Sequence, residues 1–252
     1  MPSETLIIGH RGASRDAPEN TLASFRLAFD QGADGIEADF RLTRDGRIVC
    51  LHDEGTARTA AASLRVADTE LVQLRLLDAG AWKGGQWAGE PIPTLQEVLS
   101  ALPEGKKLFI ELKSGPEMLP ALAADLAAAA TGPSRVMFLS FDADLIRALK
   151  DRLPDFPACW LTDYRWRGAW HPSRQEVLST LSRCGADGLA SRDRAILDLS
   201  LVRELRQRGL QIHVWTVDAP AAALRLRELG VDSIMTNRPG YLRAALARRR
   251  QP

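Results

Sequence analysis

His10-Arg11-Gly12, Glu37-Ala38-Asp39, His52-Asp53 and Glu111-Leu112-Lys113 each stand where an apolar run ends. Their side chains offer two imidazoles, the carboxylates Glu37, Asp39 and Glu111, and the cations Arg11 and Lys113. Carboxylates suit an oxygen-preferring divalent ion such as Mg²⁺ or Ca²⁺, Arg and Lys neutralise phosphate oxygens, and two histidines can serve as general base and general acid. The set fits metal-assisted cleavage of a phosphodiester. Each cluster alone is weak: a Glu–Lys pair is commonly a surface ion pair of little energy, and a lone His is usually structural.

Spacing adds information. Residues two apart on a strand share a face, so Glu37 and Asp39 can bind one ion while Ile36, Ala38 and Phe40 pack on the opposite side under outer helices. Glu111 follows Leu108-Phe109-Ile110, with Lys113 again on its own face. His10 closes the first strand, and Gly12 permits close backbone approach while Arg11 can grip phosphate in bidentate fashion. His52 closes another strand, and Asp53 either orients a histidine or holds its loop. In Glu19-Asn20-Thr21, Asn20 or Thr21 reads as a helix cap. Trp215-Thr216 and Ser140-Phe141 also end strands; Trp215 and Phe141 can wall the alcohol end of a substrate, and packing at a rim is an equal alternative. His171 and His213 carry no assigned role.

The elements that position these residues alternate. Strand-type runs cover 5–9, 35–41, 48–51, 107–111, 135–140, 158–161, 188–191, 211–216 and 233–236. Helical spacing follows over 21–31, 117–130, 142–152, 175–184, 201–208, 219–229 and 241–249. Repeated βα order implies a parallel sheet, and about eight strand signals without G-x-G-x-x-G after the first favour a closed (β/α)8 barrel over an open sheet. Active sites of such barrels gather at the C-terminal strand ends, where every cluster named above lies. A weak repeat (32–36, 185–189, 230–234) places Gly where a helix stops in a left-handed turn. Asp45-Gly46 reads as a hairpin turn outside the site. Residues 54–93 break the alternation, with a helical piece at 68–77, and read as an excursion that could form a wall, a lid or a partner surface. Thr94 and Glu97 then form a capping box for a helix over 95–101.

With 252 residues, 45% hydrophobic and 26% charged, the chain can bury one large core, and a single domain over 1–252 is expected. A net charge of +1 supplies no global field for nucleic acid or an anionic membrane. No run approaches a membrane span, and the start shows neither basic leader nor signal core. Cys50, Cys159 and Cys184 have neither zinc nor disulfide spacing, so a cytoplasmic setting is expected. Arg248-Arg249-Arg250 reads as a solvated helix end.

Taken in order, His10-Arg11-Gly12, Glu19-Asn20-Thr21, Glu37-x-Asp39, His52-Asp53, Pro93-Thr94-Leu95, Glu111-x-Lys113 and Trp215-Thr216-Val217 give the chain a resemblance, over nearly its whole length, to the glycerophosphodiester phosphodiesterase family. The resemblance implies a (β/α)8 TIM barrel, with a small inserted segment after His52-Asp53, that hydrolyses glycerophosphodiesters to glycerol 3-phosphate and an alcohol. It implies one divalent metal ion, Mg²⁺ or Ca²⁺, on Glu37, Asp39 and Glu111, and an acid–base pair His10 and His52. Arg11 and Lys113 then contact phosphate and Trp215 walls the substrate. Asp218 stands where Asn is frequent in the family, and Thr236-Asn237 where Thr-Asp is frequent. The expected partner is a small-molecule diester, with neither nucleic acid nor stable membrane association.

Three rivals fit less well. A phospholipase acting on intact lipid wants an apolar lip, which Trp82, Trp87, Trp166 and Trp170 offer only interspersed with Gly and charge. A barrel lyase or aldolase with Lys113 as base leaves His10, His52 and Arg11 idle. A noncatalytic binding protein usually loses one essential group, and none is missing here.

Overall fold

The computed structural model describes residues 5–248. Along the chain run β1 (Leu6–His10), α1 (Leu22–Asp30), β2 (Gly35–Leu42), β3 (Ile48–Cys50), α2 (Leu71–Leu74), α3 (Leu95–Ala101), β4 (Lys107–Leu112), α4 (Leu119–Ala128), β5 (Val136–Ser140) and α5 (Ala143–Arg152). There follow β6 (Ala158–Thr162), β7 (Arg165–Trp166), β8 (Trp170–His171), α6 (Arg174–Cys184), β9 (Gly188–Arg192), α7 (Leu199–Gln207), β10 (Gln211–Trp215), α8 (Pro220–Leu229), β11 (Ser233–Thr236) and α9 (Pro239–Arg248). Eight strands, β1, β2, β4, β5, β6, β9, β10 and β11, pair in parallel in that order, and β11 returns to β1. The chain is a (β/α)8 barrel. Arg249 and Arg250 of the basic tail lie outside the described residues.

Alternation along the strands builds two cores. Ile36, Ala38 and Phe40 face outward and pack with Phe25, Leu95 and Val98 of the helical layer, as their spacing implies. Ile8, Phe109, Met137, Leu139, Cys159, Leu161, Ala190 and Met235 fill the barrel interior. The inward positions one step further along β1, β2 and β4 are His10, Glu37, Asp39 and Glu111, so the polar groups sit on an apolar plug.

The repeat seen in the sequence has a physical role. Gly32, Gly185 and Gly230 adopt φ of 82°, 66° and 85°, the left-handed turn that ends α1, α6 and α8. Two residues on, Asp34, Asp187 and Asp232 accept hydrogen bonds from the backbone N–H of Ile7, Ala158 and Ile212 at 2.8, 2.8 and 2.6 Å. Each carboxylate thus satisfies a donor at the start of a neighbouring barrel strand.

Three local findings depart from the sequence reading. The Asp45-Gly46 hairpin turn joins β2 to β3 as expected, but β3, antiparallel to β2, is an arm outside the barrel, and His52 lies two residues beyond it. The helix read over 68–77 shrinks to a 3-10 turn, Val66–Asp68, and the single turn α2. Glu70 restarts the chain as an N-cap, and Asp78 then turns it by accepting from the amides of Gly80, Ala81 and Gly89. The hairpin β7–β8 was not expected, because strands of two residues leave no periodicity to read. Elsewhere the runs agree to within a few residues, and Thr94 and Glu97 form the capping box expected for α3. Among the described residues no helix is long and apolar enough to cross a membrane.

Asp187→Ala removes the acceptor from a fully buried N–H at Ala158. It should lower unfolding free energy by about 1–3 kcal/mol, read as an earlier midpoint in denaturant; an unchanged midpoint contradicts this role of the repeat.

Candidate active site

β2 carries Glu37 and Asp39, and in β4 Glu111 lies directly across from Asp39. One carboxylate oxygen from each of the three lies within 4.8 Å of the others, and all three residues are buried. Lys113, on the same face as Glu111, sets Nζ 3.2 Å from Asp39 Oδ1 and against Glu111 Oε1. From the β1–α1 loop, Arg11 Nε reaches Asp39 Oδ2 at 3.1 Å, while the Arg11 backbone N–H donates to Glu37 Oε2 at 3.0 Å.

That loop is shaped for the task. Arg11 and Asn20 stand at φ 56° and 59°, a region non-glycine residues seldom enter. Gly12 is required: at φ 83° a Cβ would come within 2.4 Å of Ser24 Oγ in α1. Thr21, not Asn20, caps α1. Asn20 instead donates Nδ2 to Asp39 Oδ2 at 2.8 Å and accepts from the Asp39 backbone N–H at 3.2 Å. Its role was missed in the sequence because a cap explains the same residue locally.

Both histidines reach the mouth by different routes. His10 ends β1, with Nε2 3.9 Å from Glu37 Oε2. His52 arrives because β2 overshoots the rim and β3 returns beside it. The Leu51 N–H then donates to the Asp39 carbonyl, and Arg41 donates Nε and a terminal N–H to the His52 carbonyl at 3.1 and 2.7 Å.

The ring partners differ in charge. His10 Nδ1 lies 2.8 Å from Asn237 Oδ1; Asn237 in turn donates Nδ2 to Asp218 Oδ2 at 2.8 Å. Asn237 therefore presents its oxygen, so His10 donates Nδ1–H and leaves Nε2 as an acceptor. Ser14 donates to the same oxygen at 2.8 Å, and Asp218 also accepts from Thr236 and the Asn237 amide. His52 Nδ1 instead meets a carboxylate, Asp53 Oδ1, at 2.7 Å. Asp53 thus orients a histidine, one of its two sequence readings.

Electrostatics follow from burial and crowding. Burial, then the neighbouring Asp39 charge, pushes the Glu37 carboxyl well above the usual range, and the same two causes raise Glu111. Burial opposes ionisation of Asp39 too, but Lys113 and Arg11 hold it down at about 2. Burial lowers both His10 and His52, with Arg11 adding to the effect on His10 and Asp39 and Asp53 opposing it on His52.

The donor set fits a divalent cation. Glu37 Oε1 is buried with no hydrogen-bond partner, and Asp39 Oδ1 and Glu111 Oε1 have only the Lys113 ammonium beside them. Carboxylate oxygens so crowded are the ligands Mg²⁺ or Ca²⁺ takes.

At the rim, Trp215 meets Phe141 edge-on at 5.6 Å between ring centroids. Arg192 lies 5.3 Å from the Trp215 ring centre. The two sequence-nominated aromatics thus form one wall, half of Phe141 being exposed. His171 sits apart on the β7–β8 hairpin, and His213 is buried at the opposite end of the barrel, between Ser233 and Gln211.

Glu37 and Glu111 hold protons above the usual carboxylate range and must release them to a metal. Divalent-ion affinity should therefore rise with pH through neutrality, with proton uptake by the buffer in calorimetric titrations. Glu37→Gln should weaken binding by about 100-fold or more, since loss of even an outer-shell partner costs ~10–100-fold. Equal affinity for wild type and variant contradicts the site.

The Glycerophosphoryl diester phosphodiesterase family model matches residues 10–241. A glycerophosphodiester phosphodiesterase of Caldanaerobacter subterraneus subsp. tengcongensis is 35% identical over 95% of this chain and 96% of its own length. One of Bacillus subtilis is 31% identical over 94% and 85%. Among solved structures, an Oleispira antarctica phosphodiesterase in complex with the product sn-glycerol-3-phosphate superposes with a TM-score of 0.86 at 28% identity, covering 97% of both chains. A family match across the chain, joined to this barrel and this mouth, shows that the chain belongs to the glycerophosphoryl diester phosphodiesterase family.

Proposed function

We propose that this chain hydrolyses small glycerophosphodiesters to sn-glycerol 3-phosphate and an alcohol, with Glu37, Asp39 and Glu111 holding one divalent ion, Mg²⁺ or Ca²⁺, and with His10 and His52 as the acid–base pair. The observation that carries the reading is the convergence, at one barrel mouth, of three buried carboxylate oxygens within 4.8 Å, two cations and two histidines. The likeness to the Oleispira phosphodiesterase, whose structure holds sn-glycerol-3-phosphate, supports the product.

When bound, the ion supplies Lewis-acid polarisation of a phosphoryl oxygen. The chain's own groups do the rest. Arg11 keeps N–H groups beyond the one given to Glu19, with its Nε ion-paired to Asp39, and with Lys113 offsets charge growing on the nonbridging oxygens. His10, with a neutral partner and a free Nε2, is the general base for the attacking hydroxyl, whether water or the glycerol 2-hydroxyl. His52, whose positive form the Asp53 carboxylate favours, protonates the departing alcohol. Trp215 and Phe141 wall that alcohol.

The same reading makes the substrate a small soluble diester and leaves nucleic acid aside, consistent with a net charge of +1. We infer a cytoplasmic setting, a reading supported by the three buried free thiols Cys50, Cys159 and Cys184, which suit a reducing medium.

Wild type should release choline from glycerophosphocholine, and His10→Ala and His52→Ala should each lower kcat by about 10²–10⁴-fold. With a p-nitrophenyl ester of glycerol 3-phosphate, whose leaving group needs no proton, His52→Ala should recover most of its rate and His10→Ala should not. Equal recovery contradicts the base and acid roles, and wild-type inactivity on both diesters contradicts the reaction.

A further inference from the structure

The excursion after His52-Asp53 sends one side chain back into the site. Residues 54–66 close on themselves: Gly55 bridges Arg65, the Thr56 amide donates to the Leu64 carbonyl at 3.0 Å, and the Val66 amide donates to the Glu54 carbonyl at 2.9 Å. The Thr56 hydroxyl stays inside this loop, where it accepts from the Leu64 amide at 3.1 Å. A second tether lies further along, where Lys83 Nζ donates to the Ser14 carbonyl of the β1–α1 loop at 2.7 Å.

Arg58 leaves the closed turn toward two carboxylates. Its terminal nitrogens donate to both oxygens of Glu19 at 2.8 Å each, and its Nε donates to Asp53 Oδ2 at 2.6 Å. Glu19 Oε1 also accepts from Arg11 at 2.8 Å, and the remaining oxygen of Asp53 holds His52 Nδ1 at 2.7 Å. One planar guanidinium therefore fixes two carboxylates, each of which fixes a different member of the proposed machinery. Apart from Arg11 on Glu19 and the His52 ring on Asp53, neither carboxylate meets another cationic side chain among the described residues.

We propose that Arg58 is a positioning residue: through Glu19 it sets the Arg11 guanidinium and through Asp53 it sets the His52 ring, so that the inserted segment completes the site. The proposal rests on the functional reading above. A lysine cannot serve in its place, because an ammonium is a point charge and cannot span Glu19 and Asp53 in one plane. Misplacement of reacting groups by about 1 Å costs on the order of 10²-fold in rate, which sets the scale of the effect.

Two readouts test it. In steady-state assays with glycerophosphocholine, Arg58→Ala should lower kcat by about 10²-fold and raise KM for the diester, and Arg58→Lys should do nearly as badly. Added guanidinium should restore part of kcat to Arg58→Ala and none to Arg58→Lys. In an Asp53→Ala background Arg58→Ala should cost less than in wild type, because the branch through Asp53 is already lost and only that through Glu19 remains. A structural role alone would lower thermal stability and leave kcat, KM and the guanidinium response unmoved, which would overturn the proposal. Independently of turnover, nitrogen NMR of His52 should show Nδ1 protonated and hydrogen-bonded in wild type and exchange-broadened in Arg58→Ala. An unchanged His52 signal in that variant, or in Arg58→Gln should the alanine form not fold, overturns the proposal even if wild type cleaves no glycerophosphodiester, an outcome that separately ends the functional reading.

Discussion

Asp39 is an ionised carboxylate with no exposed surface, and the mouth of the barrel is organised around keeping it so. A buried charge costs several kcal/mol unless it is paired and hydrogen-bonded. Two separated stretches of chain meet that demand: Lys113, just past the end of β4, and the β1–α1 loop, which brings Arg11 and Asn20. Since Arg11 and Lys113 are also the proposed phosphate contacts, the cations that stabilise Asp39 are those that would handle phosphate. Stability and function share the same contacts here.

Around that charge the barrel separates two environments. Below lies a dry interior of Ile8, Phe109, Met137, Leu139 and Met235; above it every inward position on β1, β2 and β4 is titratable or cationic. Burial and crowding on the low-dielectric floor raise Glu37 and Glu111 while Lys113 and Arg11 hold Asp39 down, so neighbouring carboxylates are pushed in opposite directions. The two histidines are likewise divided by their partners, an amide for His10 and a carboxylate for His52. The difference in the charge of these partners is what divides the proposed roles of the two rings.

Much of this was legible in the sequence because it is periodic. Alternation along residues 35–41 and 107–111 put Glu37, Asp39 and Glu111 on one face, and βα repetition put the strand ends together. What stayed hidden is contact between distant side chains. Asn237 orients His10 across 227 residues, and nothing in local spacing marks it; its departure from the family's usual Asp, paired with Asp218, was visible only as a rim detail. Asn20 sat under a sufficient local explanation, helix capping. Arg58 and Arg41 lay in stretches read as loop or strand, where a charged residue is ordinary. The Asp45-Gly46 hairpin between the second and third strand runs was legible from its turn residues, but the place of β3 outside the barrel was not, since periodicity reports a strand and not its position in the sheet.

The most direct test is release of sn-glycerol 3-phosphate from glycerophosphocholine and glycerophosphoethanolamine by chelator-stripped protein, before and after adding Mg²⁺ or Ca²⁺, with Asp39→Asn beside the wild type. The account expects no release from stripped protein, restored release from wild type on adding one of the ions, and none from Asp39→Asn under any condition. Folded wild-type protein that stays inactive with both ions, or an Asp39→Asn variant that turns over normally, would contradict it.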